Sequence, residues 1–255
     1  MGVNASALPV RRGERLFVEL AAGPQAVRQA QALRYRVFGQ ELGAKLKHGH
    51  PGLDVDDFDA HCHHLLVRET KTGAVVGCTR LLNGDDARRI GGFYSAGEFD
   101  LGPIPNLPGK LLEVGRTCIS AECRDGAAIA VLWSGIAGYI QIHNIDYLFG
   151  CASVPLGEGD LQAAAIMNRM RRHAMSPPTL RVTPRTPLLC THVPATVLDA
   201  PLPALLKAYV RLGARACGEA CRDADFEVGD ILMLLDIGEL NPTYARHFLE
   251  RVGEH

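Results

Sequence analysis

Between Asp54 and Val67 the chain reads DVDDFDAHCHHLLV, which gathers four carboxylates, three histidines and a cysteine into fourteen residues ahead of an apolar run. Imidazole, thiolate and carboxylate all bind zinc, so a metal site is one chemistry these residue types support. The spacing, however, contains neither CxxC nor HExxH. Further acids and guanidinium groups stand in other short strings, Arg34 in LRYRVF, Arg80 in VGCTRLL, and Glu113 with Arg116 in EVGR, and residue types alone leave open what they do.

Such side chains need a sizeable scaffold, and 255 residues supply one large domain. The 47% hydrophobic and 22% charged content is that of a globular chain. A formal net charge of -1 points away from nucleic acid as a partner. Eight cysteines without framework spacing read as reduced cytosolic thiols, with CGEAC at Cys217–Cys221 too isolated to mark a metal or redox motif. The N-terminus lacks the progression of a signal peptide, and no apolar run reaches the ~18 residues that span a bilayer. MGVNAS fits the myristoylation pattern, a loose string that carries little weight.

RLFVEL alternates as a first strand, and Pro24 opens a helix whose Val27, Ala30, Leu33, Val37 and Phe38 recur at helical spacing. HHLLVRE and AVVGCTRLL, joined by TKTG, read as a hairpin. A loop from Asn83 to Lys110 leads to a strand in KLLEVGRTCIS, a helix marked by Ile129, Leu132, Trp133, Ile136 and Ile140, and a buried strand in IDYLFGCAS. Beyond Ser153, DLQAAAIMNRMRRHAM and LPALLKAYVRLGARAC read as helices around a Pro- and Thr-rich excursion from Ser176 to Pro203. FEVGDILMLLDI is a late strand of the same sheet, and NPTYARHFLERV a terminal helix. The order predicts a mixed α/β (α+β) fold with a central sheet. A single domain over residues 15–251 is expected, with a core to 153, an elaborated half from 154, and a flexible 1–14.

The strings LRYRVF, DVDDFD, VGCTRLL and EVGR, in that order, resemble the acyl-homoserine-lactone synthases and, more closely, the bacterial ornithine N-acyltransferases of ornithine-lipid synthesis. FYSAGEFDL, LWSGIAGYI, LFGCAS, LPALLKAYVRLGARACGEA and LNPTYARHFL extend the resemblance from Arg15 to Leu249. It implies a GNAT acyltransferase fold, with a central mixed, mostly antiparallel sheet flanked by helices, and an acyl donor on acyl carrier protein. It also places Asp56 and Asp59 beside the acceptor pocket, with Glu113, Arg34, Arg80 and Arg116 facing it and Phe38 and His64 completing it. No metal or bound cofactor is then required, since His63 and His64 on one strand point to opposite faces. Glu113 is the expected base, Asp56 and Asp59 hold the amine or help deprotonate it, and a backbone N–H on the splayed strand of EVGRTCI meets the oxyanion. Arg116 has an alternative as a structural ion-pair partner of Asp56 or Asp59.

On the donor side, CRDGAAIA keeps Arg124 and Gly126 but lacks the glycine spacing of a coenzyme A pyrophosphate cradle. A phosphopantetheine arm, with one phosphate and no adenosine, tolerates such a reduced cradle. No acid occurs from Leu161 to Leu198, where Arg169, Arg171, Arg172, Arg181 and Arg185 form a basic surface for an acidic carrier or an anionic membrane face. The expected activity is transfer of a fatty or 3-hydroxy fatty acyl group to the α-amine of L-ornithine, in the cytoplasm or peripherally on the inner membrane. The rivals are an acyl-homoserine-lactone synthase, an N-acyltransferase for glycine, glutamine or lysine, and a non-catalytic acyl-carrier or lipid-binding module.

Overall fold

The computed structural model of the protein describes residues 11–12, 15–46, 50–190 and 200–240. In chain order the elements are β1 (Arg11–Arg12), β2 (Leu16–Leu20), α1 (Pro24–Arg34), a π-helix (Tyr35–Glu41), β3 (His63–Glu69), β4 (Val75–Asn83), α2 (Gly84–Arg89) and β5 (Phe99–Asp100). They continue with β6 (Leu111–Ile119), α3 (Ala127–His143), β7 (Tyr147–Pro155), α4 (Leu161–His173), β8 (Thr183–Pro184), α5 (Ala204–Leu212), β9 (Arg215–Ala216), β10 (Cys221–Asp223) and β11 (Val228–Asp236). The terminal helix expected over NPTYARHFLERV lies outside the described residues.

Contacts divide the chain into two compact units. Among the described residues, the first holds the chain up to Leu82 together with Gly115–Asn144, and the second holds Asn83–Val114 and the chain from Ile145 onward. Strand β6 therefore begins in the second unit and ends in the first. The break expected after Ser153 falls inside β7, because that strand is held along its whole length by β11.

In the first unit the strand order is β1-β2-β3-β4 followed by the second half of β6. Register explains which side chains meet. Leu66 lies opposite Cys78, and His64 opposite Arg80, so all four project from one face of the β3–β4 hairpin. On that face Leu66, Cys78 and Cys118 form a core with Ala26, Ala30 and Leu33 of α1 and Val37 beyond it. The other face is covered by α3, which approaches β2 so closely that a Cβ at Gly135 would overlap Val18. His63 points to this second face and bonds the Tyr139 hydroxyl at 2.8 Å, so the two adjacent histidines do take opposite sides. The helical spacing of Val37 and Phe38 continues α1 in sequence only. The backbone widens there into a seven-residue π-helix.

In the second unit the first half of β6 runs parallel to β7, Leu111–Glu113 against Tyr147–Phe149, and the pairing ends there. Gly150 stands where the two strands part, and any Cβ there would overlap the Val114 carbonyl oxygen. β7 pairs antiparallel with β11 over nine residues, and β10 adds at the edge. α4 packs on β7, and its Ala163, Ala164, Ile166, Met167 and Met170 are buried. The stretch expected as a loop from Asn83 to Lys110 carries α2, β5 and short 3-10 turns, too brief to show a hydrophobic period. No helix among the described residues is long and apolar enough to cross a membrane.

Candidate active site

Arg34 is the last residue of α1, and its guanidinium is completely buried. Burying that charge is costly unless every donor finds an acceptor. Nε donates to Asp54 Oδ2 at 2.8 Å, while Nη1 and Nη2 donate to Asp59 Oδ1 and Oδ2, each at 2.8 Å. Nη2 also reaches the Asp54 carbonyl oxygen. From β4, Arg80 Nη1 shares Asp59 Oδ1 at 2.9 Å and bonds Asp56 Oδ1 at 2.5 Å, with its guanidinium 5.7 Å from the Phe58 ring centre. Gln31, one turn before Arg34, donates Nε2 to Asp59 Oδ2 at 2.9 Å. Three of the four acids of DVDDFD, Asp54, Asp56 and Asp59, are thus occupied by guanidinium groups.

These contacts fix protonation. Burial alone would raise the Asp59 carboxyl, but the Arg34 bonds, the charges of Arg34 and Arg80 and the Gln31 amide hold it well below the usual carboxylate range. Asp59 is a permanent negative charge and a poor proton acceptor. Burial lowers His64, which stays neutral, so its Nε2 carries the hydrogen directed at the Asp59 carbonyl oxygen 3.1 Å away. His64 thereby orients the turn that bears Asp59.

Arg116 and Asp56 lie at the least buried edge of the cluster. Arg116 Nη2 lies 3.4 Å from Asp56 Oδ2, and its Nε 3.7 Å from Asp54 Oδ2. The Arg116 side chain is 13% exposed and that of Asp56 9%, against 1% for Arg34. Arg116 also has φ 51, a left-handed conformation that a non-glycine residue adopts at a cost of about 1–3 kcal/mol. The ion pair with Asp56 and the outward-facing position coexist. Phe38 is half-buried against the α1 core.

In the second unit, Glu113 is 4% exposed. Oε2 accepts the Tyr94 N–H at 2.7 Å, and Oε1 accepts the Ser95 N–H at 2.7 Å and the Ser95 hydroxyl at 2.5 Å. The FYS string positions this turn, with Phe93 packed edge-on to Phe149 at 4.8 Å. A carboxylate with three donors is rigidly oriented.

The expected donor-side residues are distributed differently. Arg124 forks onto Glu41 and donates Nε to the Ile119 carbonyl oxygen at 3.1 Å. Gly126 precedes α3 with φ 93, a backbone task that favours glycine. A cavity of about 270 Å³ nearby is lined by Leu33, Arg36, Gln40, Glu41, Ser120 and Glu122 among others. On α4, Arg169 is half-buried, Arg171 pairs with Glu219 and Arg172 is exposed.

Sequence reasoning passed over Gln31, Asp54, Phe58 and Ser95. Gln31 had a signal, since it is polar and three residues before Arg34 on one helix face. Ser95 had none, because its partner Glu113 is eighteen residues away.

A cluster of this kind can be compared with known proteins. The acetyltransferase (GNAT) domain family matches residues 33–134. The chain is 35% identical over 249 residues to an L-ornithine N(alpha)-acyltransferase of Rhizobium meliloti (strain 1021), covering 91% of this chain and 84% of that protein. It is 34% identical over 247 residues to the enzyme of that name from Rhodobacter capsulatus, covering 92% and 95%. Among solved structures it is similar to the CoA-dependent acyl-homoserine lactone synthase BjaI, with TM-score 0.53 and 14% identity over 90% of this chain and 83% of that one. The structural likeness speaks for a GNAT-type acyltransferase fold, and the sequence similarity runs through both units. The chain therefore belongs to the L-ornithine N(alpha)-acyltransferase family.

Proposed function

We propose that the protein moves a fatty or 3-hydroxy fatty acyl group from the phosphopantetheine thioester of acyl carrier protein to the α-amine of L-ornithine, giving lyso-ornithine lipid. Similarity over nearly the whole chain supports this acceptor. The observation that carries the chemistry is the Asp56–Arg116 edge, the least buried part of the charge cluster. A zwitterion can exchange partners there, its ammonium meeting Asp56 and its carboxylate the Arg116 fork. Arg34, Arg80 and His64 act behind that edge, fixing Asp59 and Asp56.

Glu113 is the proposed proton acceptor. Glu113 takes a proton from the ammonium, directly or through one water; the neutral amine then attacks the thioester carbon, the C–N bond forms as the C–S bond breaks, and the second proton on nitrogen passes to the departing thiolate. The carrier leaves as its free thiol. A backbone N–H of β6 beyond its pairing with β7 is the proposed oxyanion donor. Exposed Arg172, with Arg169 and Arg171 on the same helix, supports docking of an acidic carrier. Arg124 would serve the phosphate only after releasing Glu41, while Gly126 shapes the turn. The amphiphilic product supports a cytoplasmic protein that touches the inner membrane peripherally.

The test is purified protein with 3-hydroxyacyl carrier protein or the matching acyl-CoA and a panel of ornithine, lysine, glutamine and glycine, read by mass spectrometry. An N-acyl product formed best with ornithine and carrier-bound donor is expected. Acylation of none of them would sink the proposal.

A further inference from the structure

One side chain of the second unit reaches Glu113 only through another. Cys151 of β7 directs its thiol at the Ser95 hydroxyl, Sγ to Oγ 3.5 Å, and that hydroxyl in turn donates to Glu113 Oε1 at 2.5 Å. Ser95 and Glu113 are both buried, so water does not readily replace either partner.

The contact follows from strand geometry. Phe149 stands beside Glu113 in the last register of β6 and β7, and Cys151, two residues on, leaves the same face of β7. Phe149 meets Phe93 edge-on and Cys151 meets Ser95, so alternate residues of one strand hold alternate residues of the turn. On its other side β7 is paired with β11, Cys151 lying opposite Leu232. The thiol is thus carried by a strand held in a long ladder, and the serine by a short turn.

The direction of the hydrogens is set by chemistry. A serine hydroxyl has one hydrogen and accepts as readily as it donates. A thiol that stays protonated offers Ser95 Oγ a hydrogen and leaves the serine hydrogen for Glu113. Cys151 is such a thiol, because burial first, then the nearby carboxyl groups of Glu98 and Asp230, push it well above the ordinary thiol range. The same shift argues against Cys151 as a nucleophile, since the thiolate is the reactive form.

We infer that Cys151 is a positioning residue for the proton acceptor, holding the Glu113 carboxylate in one orientation through a donor chain that runs from Sγ–H to the Ser95 Oγ–H to Oε1. This inference rests on the reading of Glu113 as the base. Donors in series polarise one another, so a weak thiol bond strengthens the serine bond that follows it. Cys151 itself touches neither the amine nor the thioester in this role.

The experiment is a double-mutant cycle on the full-length protein, with wild type, Cys151→Ala, Ser95→Ala and the pair assayed for kcat and KM with L-ornithine at saturating acyl donor. Cys151→Ala is expected to lower kcat about threefold with KM unchanged, as befits a weak bond acting through a second one. In the Ser95→Ala background the same change is expected to cost under about twofold. A loss of folded protein costs the same in both backgrounds, and equal losses overturn the inference. Cys151→Ser keeps a donor and Cys151→Val keeps apolar bulk, so serine should preserve turnover better than valine. Valine equal to or better than serine reads as packing and overturns the inference too. If the wild type acylates no amino acid, the acyltransferase reading has failed, and infrared difference spectra then decide the chain by themselves. The S–H stretch of Cys151, assigned by its loss in Cys151→Ala, is expected to move to higher frequency in Ser95→Ala as the thiol loses its acceptor. An unmoved band overturns the inference.

Discussion

Arg34 and Asp59 face each other fork to fork, with Nη1 to Oδ1 and Nη2 to Oδ2 both 2.8 Å and both side chains buried. The pair joins α1 to the turn before β3, so it links two elements that the hydrophobic core alone would let slide. Removing one partner leaves the other charged and buried. Arg34→Met or Asp59→Asn is expected to lower stability by about 3–5 kcal/mol, measured by urea denaturation. The pH dependence has a definite sign. The Asp59 carboxyl is depressed in the folded state, so its contribution is present above the ordinary carboxylate range and drains away as pH falls below it. Asp59→Asn should flatten that acid limb.

Arg116 tests recognition separately from stability. Its side chain is the most exposed of the cluster's arginines, and its bond to Asp56 is long at 3.4 Å. Arg116→Lys keeps a charge but loses the fork. KM for the amino acid should rise about tenfold while the melting temperature stays within about 2 °C, by steady-state kinetics and calorimetry.

Ser95 provides one of the three donors to Glu113, through its hydroxyl. Ser95→Ala leaves both backbone donors in place, so the carboxylate is held less tightly without being freed. Turnover should drop by about tenfold, a smaller loss than in Glu113→Gln, in which the proton acceptor itself is gone. A Ser95→Ala enzyme as inactive as Glu113→Gln would assign the hydroxyl a direct part in the chemistry.

Glu98 predicts a pH effect opposite to that of Asp59. Its carboxyl is raised from 4.5 to about 9, so across that window the folded protein holds a proton that the unfolded chain has lost. Stability from this group is full below about 4.5 and declines as pH rises toward 9. Glu98→Gln removes the titrating group and should make the melting temperature less sensitive to pH between 5 and 9, as calorimetric scans at several pH values would record.

Much of this arrangement is written locally. Alternation in HHLLVRE and AVVGCTRLL sets which residues face α1, and the two faces of His63 and His64 follow from adjacency on a strand. The strand–helix–hairpin order was readable because those elements are long enough to show a period. The π-helix after Arg34 was not, since Val37 and Phe38 keep helical spacing while the backbone departs from it. The short α2, lying within a Gly-rich charged stretch, shows too few turns for any period.

By itself the sequence determined the element types, the core faces, and the chemical character of a site rich in carboxylates and guanidinium groups. Only the tertiary structure decided which of those charges are spent on each other. Arg34 and Asp59 satisfy one another in the interior, Arg116 and Asp56 keep partial access to solvent, and Glu98 meets Asp230 across more than a hundred residues of chain. The reason is that ion pairing and burial depend on distances between segments remote in sequence, and no pattern within a single segment encodes them.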